Sequence, residues 1–245
     1  MVFAAIVSTP AWAAVIAPAG LNPGDSFRLV FVTSTTTQAT NTSIAYYDNF
    51  VTTRAVAAGL DTYDGSGVSW HVLGSTAAVS ALSRDPATGS SSPIYKLNGV
   101  LIATSGADLW DGNIASPLDI NELMNTLVTA AWTGTDSNGV TNNPLGTATP
   151  SAGVSNFTNA TWMIGFGAGN NNNLALYAIS ETMTVPAPEP ATMAVLGVGL
   201  GAYGWPAADA GPSEPPRAKG PSDTNVKPGT TIASPPRAQP HQCLT

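Results

Sequence analysis

The chain has 245 residues, enough for one or two domains. Apolar residues make up 43% and charged residues only 9%, far below the roughly 25% of an ordinary soluble domain. The formal charge is −7, with eleven acids and four bases before residue 185, so no basic patch exists to displace counterions from a phosphate backbone, and nucleic acid is excluded as a partner. The only cysteine, Cys243, lies in the last residues, which excludes a disulfide framework, a cysteine zinc site and a cysteine nucleophile from the body of the chain.

Taken in order, residues 1–14 begin with a short apolar run, Val2–Val7, followed by Ala11-Trp12-Ala13, a small-x-small cleavage pattern. This reads as a signal peptide cut after Ala13 or Ala14. No Lys or Arg precedes the run, so the expectation is a shortened start. Ser26–Thr33 alternates as a strand, with Phe27, Leu29 and Phe31 on one face and Val30 and Val32 on the other. Apolar residues on both faces predict a central strand.

Ser43–Leu60 predicts the main helix. Thr42 or Ser43 caps it, Tyr47, Phe50, Val51, Arg54, Ala55 and Ala58 recur at three and four, and Gly59 closes it. Asp61–Gly67 reads as a turn-rich loop, Val68–Leu73 as a strand and Thr76–Leu82 as a short helical turn. Pro93–Ala103 predicts a hairpin through Asn98-Gly99, with both turn residues at positive φ. Ala107–Gly112 is a tight turn bearing Trp110. Asp119-Ile-Asn-Glu122 has the form of a capping box for a brief helix.

Ala130–Gly139 is a short strand ending in a loop at Asp136–Gly139, and 141–159 reads as a polar loop. Thr161–Gly167 and Asn173–Ser180 are expected to form the last strand pair. Three prolines in five residues, Pro186, Pro188 and Pro190, then stop regular structure. Beyond Gly204 the composition is Pro, Ala, Gly and Ser with scattered charge, which predicts a disordered tail over 205–245.

Pro188-Glu189-Pro190-Ala191-Thr192, followed by small and aliphatic residues, resembles the PEP-CTERM sorting signal of bacterial surface and matrix proteins. The resemblance implies handling by an exosortase-type membrane transpeptidase, with transient membrane anchoring through residues 185–204. Signals of that kind end in an arginine-rich cap; here Pro206 follows and the nearest base is Arg217.

Inside the preceding body, Arg54–Leu60, Ser92–Gly99, Leu109-Trp-Asp-Gly112, Trp132–Gly139 and Leu176–Glu181 occur in an order that resembles the endostatin-like group of C-type-lectin-like domains. For residues 20–184 this implies an α+β fold with a mixed, mostly antiparallel sheet, one main helix and long loops. Unlike the animal members, this version is free of disulfides, lacks the basic heparin-binding face and has no lectin calcium motif.

Three site chemistries are candidates. Trp110 with Asp136 and Asn138 is a candidate carbohydrate platform, Trp110 being the tryptophan expected at the surface. Asp119 and Glu122, near Asp108 and Asp111, are candidate oxygen ligands for Ca²⁺, though helix capping explains them without a metal. The same acids would have to supply any hydrolase pair, and no spacing selects one. His71 is the single histidine before residue 185, so a Ser-His-Asp triad would have to be built on it; no G-x-S-x-G elbow accompanies it. The sequence therefore favours a non-enzymatic, cofactor-free surface or extracellular-matrix protein. A carbohydrate-binding module for surface glycans or exopolysaccharide is the alternative, and an acid-pair hydrolase stands behind both.

Overall fold

A computed structural model of the chain describes residues 15–84 and 91–187. They form a mixed α+β fold dominated by sheet. In chain order the elements are β1 (Ser26–Val32), α1 (Ile44–Ala57), β2 (Thr62–Tyr63), β3 (Ser66–Gly67), β4 (Trp70–Val72) and α2 (Ala81–Arg84). There follow β5 (Ile94–Lys96), β6 (Leu101–Ala103), α3 (Gly106–Leu109), β7 (Ala130–Trp132), β8 (Ser151–Val154), a 3-10 turn at Ala160–Trp162, β9 (Phe166–Gly167), β10 (Ala175–Ser180) and β11 (Met183–Thr184).

The main sheet runs β6-β5-β1-β10-β7-β8-β9, with β11 added to β1 and β4 added to β10. Its pairings are antiparallel except β1 with β5 and β10 with β7. The centre is the antiparallel pair β1–β10, in register through Val30–Ile179, Phe31–Ala178 and Val32–Tyr177. Both strands are buried on both sides, as their unbroken apolar runs predict.

The two sides of β1 go to different cores. Phe27, Leu29 and Phe31 join Trp70, Val72, Leu176 and Ala178 under α1, which contributes Tyr47, Val51 and Ala55. Val30 and Val32 join Ile94, Ile102, Leu109, Trp110, Trp162, Tyr177 and Ile179 on the opposite face. That second face is covered by α3 and loops rather than by a long helix. Each large side chain buried in this way contributes on the order of 1.5–3 kcal/mol.

Helix α1 shows how local and distant forces divide. Its buried residues Tyr47, Val51 and Ala55 are spaced by four, so they form one stripe. Ser43 takes the N-cap backbone geometry, but its hydroxyl makes no cap bond; its own N–H instead donates to Asn41 Oδ1 at 2.8 Å. The C-terminus closes as read from Gly59, at φ +75°. Gly59 N–H donates to Val56 C=O and Leu60 N–H to Ala55 C=O, at 3.0 and 2.9 Å, the two bonds of a Schellman cap.

Several expectations need correction. The hairpin β5–β6 forms, but its turn has only Gly99 at positive φ, +80°. Gly99 N–H returns to Lys96 C=O and Lys96 N–H reaches Val100 C=O, so the connection is a three-residue loop with a glycine bulge. The two-residue turn with paired positive φ occurs instead at Asp64-Gly65, φ 49° and 74°, inside the segment read as a loop, where it joins β2 to β3. The stretch 141–159 contains strand β8. The segment 161–167 does not pair with 173–180: β9 pairs with β8, and β10 pairs with β1, β4 and β7. No helix forms at 119–122: Ile120 and Asn121 make isolated bridges to Thr126 and Val32, and a turn starts at Glu122.

Candidate functional site

The proposed sorting residues Pro188, Glu189 and Pro190 and the cleavage residues Ala11 and Ala13 lie outside the described residues, as does the tail at 205–245. The other predicted site residues are all placed.

Trp110 is buried, at 6% exposure, not exposed. It follows α3, whose N-cap Ser105 hydroxyl accepts the Asp108 N–H at 3.1 Å. Its indole lies nearly parallel to that of Trp162, centroids 6.4 Å apart and planes at 26°, and Trp162 in turn touches Tyr177. The loop of Asp136 and Asn138 does meet Trp110, but through packing: Gly139, at φ +79°, lies against the ring. Asp136 Oδ1 accepts the N–H of Asn138 and of Val140, and Asn138 Oδ1 also accepts Val140 N–H, so both side chains brace their own turn. Trp70, Trp132 and Trp162 are also buried; Trp70 donates to Leu60 C=O at 2.7 Å and Trp132 to Thr37 C=O at 3.0 Å. Trp110, the one tryptophan expected at the surface, is thus part of the core like the other three.

The acids read as calcium candidates have protein partners. Asp119 accepts from the ammonium of Lys96 at 2.9 Å, a pair in which Lys96 is almost fully buried. Glu122 is 3% exposed and accepts from the N–H of Ser34 at 2.8 Å and from the Ser34 hydroxyl. Both carboxylates therefore tie a turn to the centre of the sheet: Lys96 pairs with Val30 of β1, and Ser34 follows that strand. Asp108 accepts from Thr104 and Asp111 from Asn113 N–H. Among the described residues no group of three His, Cys, Asp or Glu side chains is placed to hold a metal ion.

His71 sits on β4 between two charged groups. Its Nδ1 lies 3.1 Å from Arg84 Nη2 and its Nε2 lies 3.6 Å from Glu181 Oε1. Because guanidinium only donates, Nδ1 is the acceptor and Nε2 carries the proton. Arg84 continues to Asp48 at 2.7 Å, and Asp48 accepts Val72 N–H at 3.0 Å. The chain Asp48–Arg84–His71–Glu181 ties α1, α2 and β4 to the end of β10. Arg84 occupies the ring nitrogen that a triad carboxylate would orient.

Sequence reasoning passed over a cleft beside the end of β10. The ladder between β10 and β4 continues through Glu181 N–H to Ser69 C=O at 3.0 Å, and then the two strands diverge. The fork leaves a cleft of about 280 Å³ lined by Tyr63, Asp64, Ser66, Gly67 and Val68 on one side and Thr182, Met183 and Thr184 on the other. Among the described residues β11 pairs only with β1 and β3 only with β2, so within them each presents an outer edge. Val185 N–H donates to Asp25 C=O, which turns the main-chain groups of Thr184 the opposite way. Tyr63 is braced edge-on against core Phe27, centroids 5.4 Å apart at 88°. Burial, and then the charge of Asp64, push its phenol above the ordinary tyrosine range, so the hydroxyl stays protonated and able to donate. The Asp64-Gly65 dipeptide was the available signal, since it marks a tight hairpin and hence a projecting edge.

Among the described residues no helix is long and apolar enough to cross a membrane. No family model matches the chain, and no curated protein matches it.

Proposed function

We propose that this chain is an exported cell-surface or extracellular-matrix protein with a non-enzymatic structural or adhesive role, whose C-terminal segment anchors it transiently to the membrane for an exosortase-type transpeptidase. One observation carries the reading: the Pro188-Glu189-Pro190 string follows in sequence within three residues of the last sheet bond among the described residues. Among the described residues Val185 makes the last ladder bonds, to Asp25 C=O and from Gly24 N–H, both at 2.9 Å, and Pro186 and Ala187 are exposed. A folded body that precedes the string in sequence suits an enzyme that acts on the string and leaves its cargo folded. The low charge content and the single cysteine agree with bacterial export.

The domain itself we assign to the C-type-lectin-like architecture. In support, the first and the penultimate strand pair antiparallel at the centre, the main helix packs on one face, and loops cover the other. Surface glycans or exopolysaccharide remain the partner class, but buried Trp110 is not the residue that would meet them.

The test is expression in a bacterium that carries an exosortase and in the same strain with that enzyme deleted. The expected result is a C-terminally shortened protein in the surface fraction of the first strain. In the second strain, and in the Pro188→Ala, Glu189→Ala, Pro190→Ala triple variant, the full-length chain should be retained with membranes. Identical processing and distribution in all three cases would overturn the proposal.

A further inference from the structure

We propose that the fork between β3 and β11 is a binding site for one unit of a neutral saccharide. The observation is the opening of a sheet ladder into a cleft whose two walls are strand edges, with Gly67 on one side and Thr184 on the other. Main-chain edges offer alternating donors and acceptors at fixed spacing, which complements the ring of hydroxyls on a sugar.

The side chains sharpen the class. Tyr63, Ser66, Thr182 and Thr184 supply hydroxyls, the Tyr63 ring supplies an apolar edge, and Asp64 supplies a carboxylate that can accept from two adjacent hydroxyls at once. Among the described residues no Lys or Arg lines the cleft, and the body of the chain carries excess negative charge, which disfavours anionic ligands. The volume of about 280 Å³ is at the lower limit of ligand pockets, which suits a single hexose. The hairpin is held in place without a ligand: Asp64 and Gly65 both have positive φ, and Phe27 braces Tyr63. This site rests on the glycan partnership proposed above and gives it a location, yet sugar binding does not depend on export, so the two can fail separately.

The experiment is a titration of the full-length ¹⁵N-labelled chain with D-glucose, D-galactose, D-mannose and N-acetyl-D-glucosamine, and separately with a capped extended Thr-Val-Thr-Val peptide. Saturable shifts of the Gly65 and Gly67 amides with at least one sugar, at millimolar Kd, are expected. Tyr63→Phe keeps the ring against Phe27, and Asp64→Asn keeps a residue that tolerates positive φ. Each should weaken that binding about tenfold or more while leaving the thermal midpoint unchanged. Absence of saturable shifts with all four sugars would overturn the proposal. Unchanged affinity in both variants would do so as well, and saturation by the peptide alone would reassign the fork to strand addition.

Discussion

Gly139 packs close against the indole of Trp110: a Cβ at position 139 would stand 2.9 Å from ring atom Cδ2 and 2.9 Å from the Cβ of Leu82. The loop that seemed to frame an exposed aromatic platform is therefore its lid. Gly139 answers two demands together, the close approach and a backbone at φ +79°.

Gly139→Ala should cost about 2–4 kcal/mol, the sum of a strained backbone and overpacking against two side chains. Chemical denaturation reads it directly. Trp110→Ala, which removes a ring packed on Trp162, should cost about 3–5 kcal/mol. A loss of glycan binding in that variant would report unfolding, and circular dichroism recorded alongside should show it. A Trp110→Ala protein as stable as the parent would contradict the burial.

Gly153 in β8 has a stricter requirement. A Cβ there would come 1.8 Å from the carbonyl oxygen of Trp162, a main-chain atom that cannot swing aside. Gly153→Ala should therefore destabilise by about 3 kcal/mol or more, or fail to accumulate as soluble protein. Neighbouring Val154, only half-buried, should accept alanine for about 1 kcal/mol. Similar melting temperatures for the two variants would show that β8 does not pack as described.

The Lys96–Asp119 pair predicts a coupled result. Asp119→Ala leaves a buried ammonium without its carboxylate and should cost about 3 kcal/mol. Adding Lys96→Met in the same protein should recover much of that loss, because the uncompensated charge goes with it. Strictly additive losses would mean that the pair is not coupled. Since Asp119 and Glu122 already hold protein partners, millimolar Ca²⁺ should leave the melting temperature of the parent unchanged. A calcium-dependent rise would return the metal reading.

Two tyrosines set an alkaline limit. Burial pushes the Tyr47 phenol up to about 12 and that of Tyr177 higher still. In the unfolded chain both ionise near 10. A raised folded pKa means that the unfolded state releases protons first, so the contribution is complete below pH 10 and is lost as pH rises from 10 through 12 for Tyr47 and on beyond that for Tyr177. Ultraviolet titration at 295 nm should show these two phenolates appearing late and together with loss of tertiary circular dichroism. Full ionisation of all tyrosines at pH 10–11 with the fold intact would contradict it.

Much of this architecture was legible in the sequence, and for a local reason. Ser26–Val32 and Ala175–Ser180 carry apolar residues on both faces, and a strand of that kind has nowhere to go but the middle of a sheet. The stripe Tyr47, Val51, Ala55 and the closing Gly59 similarly define α1 from spacing alone. These are properties of a short segment acting on its own backbone.

What only the tertiary structure decided depends on partners far along the chain. Ser151–Val154 has small residues and no apolar alternation, and it is a strand because β7 and β9 pair with it. Asp119 and Glu122 have the wording of a capping box, yet buried Lys96 and the Ser34 amide offer them stronger bonds than a new helix would, and the helix does not form. Asn98-Gly99 and Asp64-Gly65 look alike as dipeptides, but strand register assigns them different turns. Trp110 follows the same rule: its turn sequence was consistent with exposure, and the distant Gly139 and Trp162 bury it. Sequence by itself set the strands and helix whose hydrophobic period is their own. Pairing, burial and the fork beside Tyr63 arose only when segments remote in the chain met, because the free energy that chooses among them resides in those contacts.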